Sequence, residues 1–122
     1  MNDQFFQLIY NELAQYLVLG WEKLIVYLEY GEGYYSISFY EKVNGRYYKC
    51  YDLSDVSEDD LDQSFERIDK AVSIDRGKEK DPWSNMTMIV DNTGKMHVDF
   101  DYTDLSNGAY KYIKQWKKNY LV

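Results

Sequence analysis

The sequence has very few of the residues on which several common kinds of site depend. Its 122 residues include one cysteine, one proline and one histidine. A single cysteine excludes an intramolecular disulfide, and a single histidine excludes a metal site built from several imidazoles. No apolar run is long enough to span a membrane, and no signal-peptide core opens the chain. A reduced, cytoplasmic protein with no membrane partner is therefore expected.

Basic residues are also scarce relative to acidic ones. The chain has 14 Lys and Arg against 21 Asp and Glu, for a net charge of −7. Binding nucleic acid directly requires a basic face, so this balance argues against it. The acidic side chains crowd the middle of the chain and the basic ones its end: Asp52, Asp55, Glu58, Asp59, Asp60, Asp62, Glu66 and Asp69, against Lys111, Lys114, Lys117 and Lys118. An acidic patch of this kind favours a basic partner.

Tyrosine is the most conspicuous residue that is present. There are 14 tyrosines, and aromatic residues make up 18% of the chain. Tyrosine gives a large contact area at low entropic cost and is enriched in protein interfaces. It also suits half-exposed strands, so the surplus is consistent with either a binding surface or a tyrosine-rich sheet.

The stretch 81–102 has the clearest organisation in the sequence. Apolar residues alternate on both sides of the turn sequence Asp91-Asn92-Thr93-Gly94, as expected of a β-hairpin: Met86, Met88 and Val90 before it, and Met96, Val98, Phe100 and Tyr102 after it. Because side chains alternate across a strand, His97, Asp99 and Asp101 are predicted to share the opposite face of the second arm.

The rest of the chain reads as helices around an antiparallel sheet. Strands are predicted at 21–30, 34–41 and 46–51, and Asn44-Gly45 favours a tight type I′ turn between the last two. Helical stripes are predicted in three places: Phe5, Ile9, Leu13, Tyr16 and Leu17; Leu61, Phe65, Ile68 and Val72 after a cap at Ser57; and Tyr110, Ile113, Trp116, Tyr120 and Leu121. The prediction is a single α+β domain over 1–122. Its antiparallel sheet has about five strands, and the three helices pack mainly on one face, leaving the other polar.

The chemistry available for catalysis is thin. His97 and Asp99 lie two residues apart on one predicted strand face, so a small metal-dependent hydrolase using His97, Asp99 and Asp101 is one alternative. No serine or cysteine nucleophile has a motif around it, and Cys50 is expected to be a small buried hydrophobe. The spacing of Asp99, Asp101 and Asp104 lacks the glycine and final glutamate of a calcium loop. No enzyme activity and no cofactor or metal is predicted.

Several segments, in this order and spacing, resemble the YezG-like immunity protein family. They are Trp21-Glu22, 81–87 (DPWSNMT), 92–96 (NTGKM), 98–102 (VDFDY) and 116–121 (WKKNYL). Members of that family are bacterial antitoxins that bind and neutralise a nuclease toxin domain. The resemblance therefore implies a toxin-binding protein without catalysis, whose partner is the nuclease domain of a secreted or contact-delivered toxin.

Two acidic sets are the predicted contacts to such a toxin. The first, on the second arm of the hairpin and just after it, comprises His97, Asp99, Asp101, Tyr102 and Asp104; the second, on the middle helix, comprises Asp59, Asp60, Asp62 and Glu66. The second set also fits an ordinary solvated helix face with acidic capping. A monomer is favoured, although an adaptor that dimerises through a tyrosine-rich edge strand is a further alternative.

Overall fold

A computed structural model describes residues 3–122 of the chain. In that range three helices and five strands follow one another, together with two short 3-10 turns at Ala14–Tyr16 and Cys50–Asp52. The elements in chain order are α1 (Asp3–Leu13), β1 (Trp21–Gly31), β2 (Tyr34–Val43), β3 (Arg46–Lys49), α2 (Glu58–Arg76), β4 (Asn85–Asp91), β5 (Met96–Asp101) and α3 (Tyr110–Tyr120).

The five strands form one antiparallel sheet in the order β3-β2-β1-β4-β5. The longest strand, β1, lies at the centre, where Val26 is paired with Phe39 of β2 and Met88 of β4. This confirms the predicted α+β fold with an antiparallel sheet of about five strands.

Tight turns set the register of the outer hairpins. Asn44 and Gly45 both have positive φ angles, 52° and 77°, as the type I′ prediction requires. Between β4 and β5, the Asp91 carboxylate accepts the backbone N–H groups of Thr93 and Lys95 at 2.9 and 3.1 Å. Because each turn has few residues, it fixes which residues of the two strands pair. It therefore also fixes which side chains of the two strands share a face.

Two helices cover one face of the sheet and form the larger core. Cys50 and Trp83 are buried there among the apolar stripes of α1, α2 and the strands: Ile9, Leu13, Leu24, Val26, Leu28, Ile37, Phe39, Leu61, Phe65, Ile68, Val72, Met86, Met88 and Val90. Ser57 caps α2 by accepting the N–H of Asp60 at 3.4 Å, as the sequence predicts.

The third helix packs on the other face of the sheet. Trp116 of α3 is buried against Ile25, Tyr27 and Tyr40, and its indole N–H donates to the Thr87 hydroxyl at 2.9 Å. The prediction that this face lacks a helix is therefore wrong. The cause is that β1 has apolar side chains on both sides, so both faces of the central strand need covering.

Three further boundaries differ from the prediction. The strand predicted at 46–51 ends at Lys49, and the chain then turns through Cys50–Asp52. The helix α2 continues to Arg76, four residues beyond the end of its predicted stripe at Val72, and α3 ends at Tyr120, one residue before the end of its predicted stripe. No helix within residues 3–122 is both long and apolar enough to cross a membrane.

Candidate functional site

The first predicted set, here called the β5 surface, comprises His97, Asp99, Asp101, Tyr102 and Asp104. Opposite the first three on β4 are Ile89, Thr87 and Asn85, in that order. Because Ile89 and Thr87 contact α3, this is the face that α3 covers. The predicted sharing of one strand face by His97, Asp99 and Asp101 is confirmed, but that face also holds a helix.

Asp99 is already engaged within the protein. One carboxylate oxygen lies 2.7 Å from the His97 Nε2, and the other accepts the Tyr120 hydroxyl at 2.7 Å. Burial and this hydrogen bond raise the pKa of Tyr120 to about 12, so the phenol remains a donor at neutral pH. Asp99 therefore contributes to anchoring α3 on the sheet.

Asp101 and Asp104 stabilise the chain that follows β5. Asp101 accepts the backbone N–H of Thr103 at 2.8 Å and also the Thr103 hydroxyl, which lower the pKa of its carboxyl. Asp104 accepts the backbone N–H of Ser106 at 2.9 Å, and the Ser106 side chain and then this N–H lower the pKa of its carboxyl. Tyr102 is exposed beside them. These contacts are local turn interactions, although they leave both carboxylates charged.

The geometry offers no ligand set for the metal-dependent alternative. Within residues 3–122, no three His, Cys, Asp or Glu side chains come close enough together to hold a metal ion. His97 and Asp99 are hydrogen-bonded to each other.

The second predicted set lies on α2, on the opposite side of the sheet. Its members do not all face the same part of the surface. Asp62 and Glu66 line a groove of about 470 Å³ between α2 and the edge of β2, here called the edge groove. Asp60 instead lies beside the 3-10 turn that follows α1, where its backbone carbonyl accepts the Tyr16 hydroxyl at 2.9 Å. Asp59 is exposed. The sequence prediction thus names two residues of the groove and two that lie outside it.

Tyrosines complete the edge groove, and the prediction does not include them. Tyr51 packs its ring against Phe65 and donates to the Asp62 carboxylate at 3.3 Å. Tyr35 stacks on Tyr30 at 6.1 Å between ring centroids. The remaining lining residues are Ser36, Ile37, Ser38 and Lys49.

The groove carries a concentrated negative field. Burial, together with the charges of Asp69, Glu66 and Asp62, raises the pKa of Tyr35. Neither Asp62 nor Glu66 has an ion-pair partner among residues 3–122, and the nearby Arg67 is bound to Glu12, with Nε at 2.9 Å. Asp69 is missed by the sequence prediction, although its position three residues after Glu66 places it on the same helical stripe.

Comparison with known proteins identifies the family. The family model described as "Immunity protein YezG-like" matches residues 2–121. The chain belongs to the YezG-like immunity protein family. It is also 25% identical over 112 residues to the Immunity protein YezG of Bacillus spizizenii, an alignment that covers 82% of this chain and 68% of that protein. Family membership supports an immunity role for the chain.

The most distinctive residues of the resemblance are structural in this YezG-like immunity protein. Trp83 is 1% exposed, and its carbonyl accepts the Arg76 side chain at 2.8 Å. Ser84 donates its N–H to Asp101 and accepts the N–H of Tyr30, at 2.9 and 2.8 Å. The segment thus ties α2, β1 and β5 together, so the resemblance identifies the family through its fold rather than through a binding surface.

A further cleft of this YezG-like protein lies apart from the edge groove and from the β5 surface. It has a volume of about 770 Å³ and lies between the 3-10 turn after α1 and the loop 53–57. Of the predicted residues it includes only Asp60, and its walls mix apolar groups such as Leu17 and Leu53 with serines and with the carboxylates of Asp52 and Asp55. This composition does not indicate a particular ligand chemistry.

Proposed function

We propose that the protein is an immunity protein that binds the nuclease domain of a cognate toxin and blocks its nucleic-acid groove with an acidic surface. Two observations support the proposal: the family model covers nearly the whole chain, and Asp62 and Glu66 lie one turn apart on α2 with no ion-pair partner among residues 3–122. A nuclease groove must be positively charged to hold phosphates, so a carboxylate-rich protein surface is attracted to the same place.

Of the two acidic surfaces, the one on α2 is the better candidate for this contact. Asp62 and Glu66 are exposed and have no ion-pair partner among residues 3–122, and Asp62 accepts only a long hydrogen bond of 3.3 Å from Tyr51, so their charge faces outwards. On the β5 surface, Asp99 is bound by His97 and Tyr120. The same face carries α3 and its four exposed lysines, which weaken the attraction for a cationic partner: Lys111, Lys114, Lys117 and Lys118.

The α2 surface also offers contact area that is not electrostatic. Tyr35 and Tyr51 are 40% and 45% exposed beside the carboxylates. Tyrosine rings are large and lose little side-chain entropy on binding, whereas rim charges mainly set the association rate. We therefore propose that Asp62 and Glu66 speed association with the toxin, and that the two tyrosines slow dissociation of the complex.

The proposal predicts that a nuclease toxin domain is encoded beside this gene, and the test is inhibition of that domain. Purified toxin domain is titrated with the protein, and DNA and RNA cleavage and the association rate are measured from low to high salt. Full inhibition near equimolar protein is expected, with an association rate that falls steeply as salt rises. No inhibition, or an association rate that does not change with salt, contradicts the proposal.

A matched pair of single substitutions tells the two surfaces apart. Asp62→Asn and Asp104→Asn each remove one negative charge and keep an oxygen that can accept the local hydrogen bond. Asp62→Asn is expected to slow association several-fold at low salt, and Asp104→Asn to leave it nearly unchanged. The reverse result assigns the toxin contact to the β5 surface.

A further inference from the structure

The edge of the sheet beside the α2 carboxylates is open. The short strand β3 pairs only with Tyr40–Val43 of β2. Among residues 3–122, the remainder of β2, residues 34–39, has a strand neighbour on one side only, which is β1. Beyond Lys49 the chain leaves the sheet through the 3-10 turn at Cys50–Asp52, where the Cys50 thiol is buried.

The outward backbone groups of this edge belong to Tyr35 and Ile37. Gly31 and Tyr34 close the two-residue turn between β1 and β2, so they form a hydrogen-bonded pair of the ladder. Alternate residues of an antiparallel strand bond to the same neighbour, so Ser36 and Ser38 also face β1. The N–H and C=O groups of Tyr35 and Ile37 therefore point into the edge groove, ready to pair with another strand.

The side chains around this edge determine which side chains an added strand should have. Tyr35 and Ile37 lie on the α2 side of the sheet, since Ile37 belongs to the core that α2 covers. A strand added beside β2 would place every second side chain on that same side, next to Asp62, Glu66 and Asp69. Cationic side chains are favoured there over acidic ones, although Lys49 also lines the groove.

We infer that β2 accepts an extended segment of the partner as a sixth strand of the sheet, along Tyr35 and Ile37, and that this segment has basic residues at alternating positions facing α2. The inference rests on the proposed function, because it takes the partner to be the basic toxin domain. Backbone pairing supplies affinity in this mode of recognition, and the alternating side chains supply specificity.

A second copy of the chain is a poor occupant of the same edge. Pairing two β2 edges antiparallel would bring the α2 helices of both copies to one side of the joint sheet. The carboxylates at Asp62, Glu66 and Asp69 would then face their own counterparts, and like charges disfavour this arrangement. The charge that attracts a basic segment thus discourages dimerisation through the edge.

The first test uses the protein alone with a defined probe. The probe is a short capped peptide in which lysine alternates with threonine, and the control peptide has the same composition with its lysines in one block. Amide hydrogen exchange is followed by NMR. We expect the alternating peptide to protect the amides of Tyr35 and Ile37 and to bind about tenfold more tightly than the control. Equal binding, no binding, or protection elsewhere overturns the inference, as does protection of these amides by self-association without peptide.

A pair of substitutions at one position extends the test to the toxin domain encoded beside the gene. Tyr35→Pro removes the outward N–H and leaves the bonds to β1 intact, whereas Tyr35→Ala removes only the ring. The Pro variant should inhibit at least about tenfold less well than the Ala variant. If both inhibit equally, the added strand is wrong while the immunity function stands; if the unaltered protein does not inhibit, the proposed function fails. Should Tyr35→Pro not fold, protection of the two amides in the unaltered complex decides the question.

Discussion

Replacing Glu41 with glutamine should make the protein more stable at neutral pH. The Glu41 side chain is fully buried, with 0% exposure. One of its oxygens accepts the backbone N–H of Val18 at 3.0 Å, and the other has no partner among residues 3–122. A buried carboxylate with one hydrogen bond has lost most of its hydration without full compensation. Glutamine keeps the acceptor for Val18 and removes the charge.

The size of the effect depends on pH in a defined direction. Burial raises the pKa of Glu41, and the bond from Val18 only partly opposes this. Below the pKa of an exposed glutamate, about 4.3, both folded and unfolded chains hold the proton and the two proteins should be similarly stable. Between the pKa of Glu41 in the unfolded chain and its higher pKa in the folded protein, unfolding releases a proton. In this range the free energy of unfolding of the protein with Glu41 falls by up to about 1.4 kcal/mol per pH unit. Glu41→Gln should therefore gain about 1–3 kcal/mol at pH 7.

Urea unfolding of both proteins, followed by circular dichroism between pH 4 and pH 8, measures this difference. Titration of the other carboxylates is common to both chains and cancels in the comparison. Glu32→Gln, at an exposed turn position, is the control and should give no pH-dependent gain. A Glu41→Gln variant that is less stable than the native protein throughout the range would refute the reasoning, because it would mean that the ionised carboxylate is satisfied.

Two other predictions concern buried groups. Trp116→Phe should lower the free energy of unfolding by about 1 kcal/mol more than Trp83→Phe in urea titrations. The reason is that the Trp116 indole donates a hydrogen bond to Thr87, whereas the Trp83 indole has no partner among residues 3–122. Equal losses would contradict this. Burial raises the pKa of the Cys50 thiol and removes it from solvent, so alkylation by iodoacetamide at pH 8 should be about a hundredfold slower in the native protein than in urea. A comparable native rate, measured by mass spectrometry, would mean that the core around Cys50 opens readily.

Much of the fold follows from local patterns. The alternation of Met86, Met88 and Val90, the Asn44-Gly45 turn and the capped start of α2 all predict the elements that form. These features are decided by neighbouring residues, so the sequence alone contains the information. The partners of each carboxylate are not local. Asp99 contacts Tyr120, 21 residues away, and that contact depends on where α3 packs.

The sequence of β1 also indicates where α3 packs, and the prediction does not take this into account. In β1 the residues Leu24, Val26 and Leu28 supply one buried face, while Ile25 and Tyr27 supply another. Continuous burial from Leu24 to Tyr30 is typical of a strand covered on both sides. An apolar run of this kind requires a helix on each face, and α3 was the only one of the three left to fill the second.

The difference that matters most for function is the end of β3. A strand continuing to residue 51, as predicted, would pair further along β2 and satisfy part of the edge next to α2. Instead Cys50 turns inward, where it is fully buried, and Tyr51 packs on Phe65. Since the thiol is small enough to enter the core and the next ring covers α2, the chain gains burial by leaving the sheet. An early strand end therefore leaves backbone groups of β2 without a neighbouring strand beside Asp62 and Glu66. The proposed binding of an extended basic segment depends on this combination rather than on net charge alone.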